Sequence, residues 1–316
     1  MSNQPILGYL SLSLVVLIWV GSGYLIQWIF SSADATNGYK DNPIAMTVIS
    51  MGLFSLLLLL PGEKSSKLSA LLLKKGARKK FSFPLIDSHS LVLGSVWLFA
   101  QLTYNVSLKH IAVSTSSSIS ALSSFFTYAF SLALLKGYTI DKYVLCGIGF
   151  SITGIHLLVS DSGQNAPLSI IGLFLAIFSC SLYGLFSVLL KKWTKHTDSV
   201  TSLFGRLGTV AIIIGIPLVF VAHIFGIEIF RFPSIFCFLA ICGNAIFGSV
   251  FSDVLLAKSI MLLTPIIVSV GLTFTIPVSM LIEGRADLLA TPKKFSGYIL
   301  VVLSLVLVGS YKPGNR

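Results

Sequence analysis

The chain has 316 residues, of which 55% are hydrophobic and 10% charged, and its formal net charge is +11. A soluble domain carries about 25% charged residues, so this composition excludes an ordinary soluble globule. The positive balance does not imply nucleic acid. The basic residues fall mostly in short connectors between apolar runs, and no aromatic–basic module or zinc-ligand spacing accompanies them.

Apolar runs of about 20 residues, enough to cross a bilayer, recur from end to end. They predict an all-α integral membrane protein of ten spans, near 6–30, 43–61, 88–108, 111–135, 141–159, 167–190, 199–225, 232–256, 261–283 and 294–311. The first run, Ile6 to Phe30, is long and lacks a basic leader, so it reads as a transmembrane helix and not a cleaved signal peptide. Pro43, Pro167 and Pro233 open spans, where a missing N–H costs little. Pro217, Pro265 and Pro277 fall inside or near the start of spans, where proline kinks a helix and frees carbonyls beside a cavity.

The 62–87 connector is the one long link and carries Lys74-Lys75-Gly76-Ala77-Arg78-Lys79-Lys80, suited to anionic lipid heads or to fixing topology. With a cytoplasmic amino terminus the inner connectors hold fifteen Lys and Arg and the outer ones six, Arg206 lying within a span. Both termini are therefore expected in the cytoplasm. Cys146, Cys180, Cys237 and Cys242 all sit in apolar runs and read as small buried hydrophobes, not as disulfides or metal ligands. The Asn105-Val106-Ser107 sequon lies in an apolar run beside a short turn and is expected to stay unmodified.

The second half echoes the first. Leu7-Gly8 with Trp19 matches Ile171-Gly172 with Tyr183, Lys136-Gly137 matches Glu283-Gly284, and Gly147 with Ser160 matches Gly297 with Ser310. This predicts two five-helix repeats, 1–160 and 161–316. An odd number of spans per repeat means the halves insert with opposite orientation, as in many secondary carriers.

Polar groups inside apolar spans are costly and mark candidate sites. Ser116, Ser120, Ser124, Thr127 and Ser131 share one helical face, next to Tyr104, Asn105 and Lys109. Such a stripe lets helices pack closely or lines a wet path. The corresponding stretch of the second half offers Asn244, Asp253, Lys258 and Thr273. Lys109 and Lys258, in two short hairpins, are placed at the two mouths of one path, where they would draw an anion or simply snorkel. Asp253 is an intramembrane carboxylate that wants a partner, either Lys258 or Arg206, or a coupling proton. Trp97 and Tyr104 offer rings for stacking, though packing is the commoner use of such rings.

Ala100-Gln101-Leu102-Thr103-Tyr104-Asn105 with Ser107-Leu108, the Ser114–Ser118 run, and Ser123-Ser124 with Phe126-Thr127 carry a family resemblance. So do Ser160-Asp161-Ser162, Leu189-Leu190-Lys191-Lys192, Asn244-Ala245 with Ser252-Asp253, and Val270-Gly271-Leu272-Thr273 with Thr275-Ile276-Pro277. The chain resembles the drug/metabolite transporter superfamily with its EamA-type repeats. Within it, the chain is similar to the F subfamily of solute carrier family 35 and to yeast thiamine-repressible and vacuolar relatives. The resemblance implies that the third, fourth, eighth and ninth spans line the path, and that the membrane is an endomembrane such as the Golgi or vacuole.

These observations predict a secondary carrier or exchanger of a small polar metabolite working by alternating access, with a nucleotide-sugar or nucleotide-like anion favoured. The alternative is a proton-coupled carrier of a thiamine-like vitamin or nucleobase, and a transporter-like receptor or scaffold is more remote. The expected partners are the small-molecule substrate and the lipid bilayer; a homodimer is left open. No cofactor or metal is expected, and no nucleotide-hydrolysis loop occurs. A membrane enzyme would need clustered acids or histidines at one face, and the eleven Asp and Glu do not cluster so.

Overall fold

A computed structural model describes residues 4–31, 42–59, 86–107, 109–111, 119–159, 169–194, 200–228, 235–282 and 292–311. Helices dominate them, and no strand occurs among the described residues. In chain order they are α1 (Gln4–Ser31), α2 (Pro43–Gly52), a 3₁₀ segment (Leu53–Leu59), α3 (Ser88–Ser107), α4 (Ser123–Leu134), α5 (Lys142–Val159) and α6 (Ile170–Trp193). Then follow α7 (Val200–Ile224), α8 (Ile235–Asn244), a π-helical turn (Ala245–Phe251), α9 (Ser252–Leu262), α10 (Pro265–Leu272), α11 (Thr275–Ile282) and α12 (Pro292–Gly309). The expected 62–87 connector, Ser114–Ser118, Ser160-Asp161-Ser162, Pro167, Pro233 and the 285–291 loop lie wholly or mostly outside the described residues.

Among the described residues four stretches are long and apolar enough to cross a membrane by length and composition: Pro5–Ser22, Ile170–Trp193, Val200–Ile224 and Phe238–Leu262. Their outward faces are apolar too. Ile171, Phe174 and Phe178 on α6 and Ile213, Ile216 and Phe220 on α7 are exposed, as a lipid solvent permits and water does not.

The core is built where small residues let backbones close in. α5 and α12 form the most extensive helix pair. At their crossing a Cβ on Gly154 would sit 2.8 Å from the Gly297 carbonyl oxygen, and one on Gly297 equally close to that of Gly154. Only glycine fits at either position. Elsewhere Trp97, a ring suited either to stacking or to packing, is a packing residue. It is 2% exposed, meets Phe54 edge-on at 4.7 Å and stacks on Phe186 at 5.9 Å, joining α3 to the 3₁₀ segment and α6.

The chain turns between α9 and α10, not at Lys258. Lys258 lies exposed within α9, and the helix runs on to Leu262. The turn forms at Leu263-Thr264 because the Thr264 hydroxyl accepts from the Ile267 N–H and Pro265 takes the first helical position. The expected ninth span is itself broken at Thr273-Phe274, which separates α10 from α11.

Candidate functional site

A cavity of about 360 Å³ lies between the helices, lined by both halves of the chain. Gln101 and Tyr104 come from α3, and Ser120 and Ser123 from the start of α4 and the turn before it. Ser179, Cys180 and Tyr183 come from α6, Ser269 and Thr273 from α10 and the break behind it, and Trp19 from α1. The lining carries hydroxyls, an amide and three large rings, and no Lys, Arg, Asp or Glu among the described residues.

Of the expected site residues, Tyr104, Ser120 and Thr273 line this cavity together. The described residues further along the serine stripe pack. Ser124 and Thr127 are fully buried; Ser124 donates to the Ala121 carbonyl, and the Thr127 and Ser269 hydroxyls share a 2.9 Å hydrogen bond joining α4 to α10. Ser116 lies outside the described residues.

Four other expected residues stand away from the cavity. Asn105 Nδ2 donates to Thr47 Oγ1 at 2.7 Å, tying α3 to α2. Asn244 Oδ1 accepts from Ser22 Oγ at 2.7 Å in a separate apolar groove of about 580 Å³ between α1 and α8. Lys109 pairs with Glu228 at 3.6 Å. Lys258 is exposed, so neither lysine stands in the cavity.

Asp253 is 7% exposed, and among the described residues neither a hydrogen bond nor an ion pair reaches it. Its expected partners lie elsewhere, since Arg206 pairs with Asp87 at 3.7 Å. The group within its electrostatic reach is Tyr183, whose buried hydroxyl has no hydrogen-bond partner. Trp19 connects the same region to the cavity, its indole N–H donating to Ser252 Oγ at 2.9 Å. Asp87, just before the first turn of α3, is a titratable group outside the spans. Burial pushes its carboxyl up, but the Ser90 hydrogen bond and the Arg206 charge outweigh burial and leave it below its ordinary 3.8.

Trp19, Gln101, Ser123, Ser179, Cys180 and Tyr183 line the cavity without having been singled out as site residues. For two of them a signal existed: Trp19 and Tyr183 are equivalent positions of the internal repeat.

No protein-family model matches the chain. A protein of known crystal structure superimposes with a TM-score of 0.65 at 16% identity, covering 98% of this chain and 99% of its own, so the fold is one already seen. The chain is similar to the thiamine-repressible mitochondrial transport protein THI74 of Saccharomyces cerevisiae, at 27% identity over 96% of this chain and 91% of the relative. An uncharacterized transporter of Schizosaccharomyces pombe is 25% identical over 93% of this chain and 95% of its own length. Solute carrier family 35 member F5 of Macaca fascicularis is 27% identical over 67% of this chain and 51% of its own length. Member F5 of solute carrier family 35 and the yeast transport proteins are homologues of the chain. The expected resemblance therefore stands on matches that span nearly the whole chain in the yeast relatives. With its apolar helices, homology to these carriers makes the chain a multi-pass membrane protein.

Proposed function

We propose that the chain is a secondary carrier that moves a small polar metabolite across an endomembrane by alternating access. The observation that carries this is the central cavity, whose walls come from both halves of the chain and which is rich in hydroxyls and aromatic rings. In this reading ten spans form two repeats of opposite insertion, 1–160 and 161–316, with both termini cytoplasmic. The helix packing supports it. α3 packs on α6 as α9 packs on α1, while α2 pairs with α7, α4 with α10 and α5 with α12. Exchanging the halves leaves that pattern unchanged.

The lining also bears on cargo. Lys109 is held by Glu228 and Lys258 is exposed, so the cations that favoured a nucleotide-sugar or nucleotide-like anion stand away from the cavity. Trp19, Tyr104 and Tyr183 with the Gln101 amide suit an uncharged or positively charged polar ring, the vitamin-like or nucleobase class. Asp253, buried on α9 within electrostatic reach of Tyr183, is the group best placed to carry a coupling proton in that reading. The homologues' names place one in mitochondria and another, an uncharacterized protein of Saccharomyces cerevisiae, in the vacuolar membrane.

Counterflow in proteoliposomes tests the function. Purified protein is offered labelled nucleotide sugars, nucleotides, thiamine and nucleobases. Saturable uptake of a heterocycle, reduced by Tyr183→Phe and Gln101→Ala, is expected. Uptake restricted to anions and lost with Lys109→Ala would restore the anionic cargo. No uptake of any cargo by a folded protein would favour the receptor reading.

A further inference from the structure

The cavity does not reach evenly toward both ends of the molecule. Its lining on α3 comes from Ala100 to Tyr104, in the second half of that helix, and around the start of α4 from Ser120 to Ser123. Both lie toward the end where Lys109, His110 and Ile111 turn the chain. At the opposite end the α9–α10 corner closes the structure. Leu263 is buried there, and α1 approaches it so nearly that a Cβ on Gly8 would lie 2.7 Å from Leu263 Cγ. Tyr138 lies against Thr264 and also contacts the Tyr311 ring at 5.9 Å, and the Tyr311 hydroxyl accepts from the Thr139 N–H.

One side chain ties this corner to α6. Lys191, half-buried in the last turn of α6, donates from Nζ to the carbonyl oxygen of Met261 and, at 2.9 Å, to that of Leu263. The last carbonyls of a helix have no partner within it, so a lysine arriving from another helix is a natural clasp. The corner can move. Pro265 brings no N–H to hold it, and the chain breaks again at Thr273-Phe274 beside the cavity. Among the described residues no carboxylate pairs with Lys191, so its hold consists of two carbonyls that water can replace once the corner separates.

We propose that Lys191 is the latch of the closed end: its release from Met261 and Leu263 lets the α9–α10 corner swing from α6 and opens the cavity to that side. The proposal rests on the carrier reading and makes Lys191 a positioning residue, acting on access and not on cargo. A plain helix cap predicts something different. Its loss would lower stability and leave the balance between the two open states where it was.

The experiment needs no cargo. In full-length protein with Cys146, Cys180, Cys237 and Cys242 replaced by serine or alanine, one reporter is Ser123→Cys in the cavity wall. The other is Ser187→Cys, buried one turn before Lys191. A membrane-impermeant thiol reagent is applied to each side of sealed vesicles. Lys191→Met is expected to raise labelling of Ser187→Cys from the Lys191 side about tenfold and to lower labelling of Ser123→Cys from the other side. That is the shift one charge-assisted hydrogen bond carries. Lys191→Arg should restore the wild-type pattern. Gly8→Ala, which pushes on Leu263 from α1, should act in the same direction as Lys191→Met and serves if that variant does not fold. Unchanged rates in Lys191→Met, or a parallel rise at both reporters, would overturn the latch. Flux in counterflow with no change in labelling would sink the latch and leave the carrier reading standing. A reciprocal change in labelling without flux would leave the latch and remove only the cargo panel.

Discussion

Lys109 and Glu228 form a 3.6 Å ion pair in which the carboxylate is 5% exposed and the ammonium far more open. Glu228 also accepts from the Ile44 N–H at 3.0 Å and from the Ala45 N–H, so a connector after α7 caps the first turn of α2. The negative carboxylate sits at the positive end of that helix. The pair therefore belongs to the junction of three segments, and Lys109 is a structural cation here.

Removing the two partners should not cost the same. Glu228→Ala strips α2 of its cap and is expected to lower stability by about 1–3 kcal/mol. Lys109→Ala leaves the carboxylate on its backbone donors and should cost less than half as much. Thermal melting of the purified variants followed by size exclusion reads both. Equal losses would mean that the ion pair, not the cap, holds the junction.

The cavity wall and the hydrogen-bonded asparagines should separate in transport assays. Trp19→Ala and Tyr183→Phe touch the cavity and are expected to raise the KM for the cargo about tenfold, with melting little changed in Tyr183→Phe. Asn105→Ala and Asn244→Ala remove bonds to Thr47 and Ser22 away from it. Those two should lower the melting temperature and leave KM near wild type. A reversed pattern would move the site to the asparagines.

Asp87 and Arg206 give a pH dependence with a fixed sign. The Asp87 carboxyl is held below 3.8 in the folded chain, so its contribution is complete at neutral pH and disappears as pH falls through that lower folded value. The carboxylate is half-exposed, which keeps the contribution small. Asp87→Asn should melt below wild type at neutral pH, and the two curves should converge in acid. A gap that widens on acidification would assign Asp87 another role.

Close approach of α5 and α12 predicts intolerance to size. Gly154→Val places a side chain 2.8 Å from the Gly297 carbonyl, a backbone atom that cannot step aside. A loss of about 1–3 kcal/mol or more is expected, read as melting temperature or as loss of folded protein on size exclusion.

Much of the fold was legible because lipid leaves so few choices. Runs of apolar residues fixed where helices lie, and Pro43 did mark a helix start, while Pro265, expected to kink a span, starts a helix of its own. The site was only half legible. A stripe at helical spacing shows which residues share a face, but not where along it the neighbour recedes. Thus Ser120 meets the cavity while Ser124 and Thr127, one and two turns on, meet helices. The partner of Lys109 could not be read, because Glu228 comes from a distant connector and no local spacing links the two. Lys258 misled for a local reason. A charge in an apolar run suggests a turn, yet an exposed lysine on a continuous helix satisfies the same pattern, and the corner went to Thr264-Pro265.

The reciprocal glycine contact between α5 and α12 has a practical side. Two helices whose backbones touch at Gly154 and Gly297, with Leu158 and Val301 packed tightly against that contact, have little room to shift against each other and should move as one body. A pair of spin labels or dyes on their exposed faces, for example at Leu145 and Val302, would act as a built-in ruler. Its constant reading would calibrate every other distance recorded while the remaining helices shift.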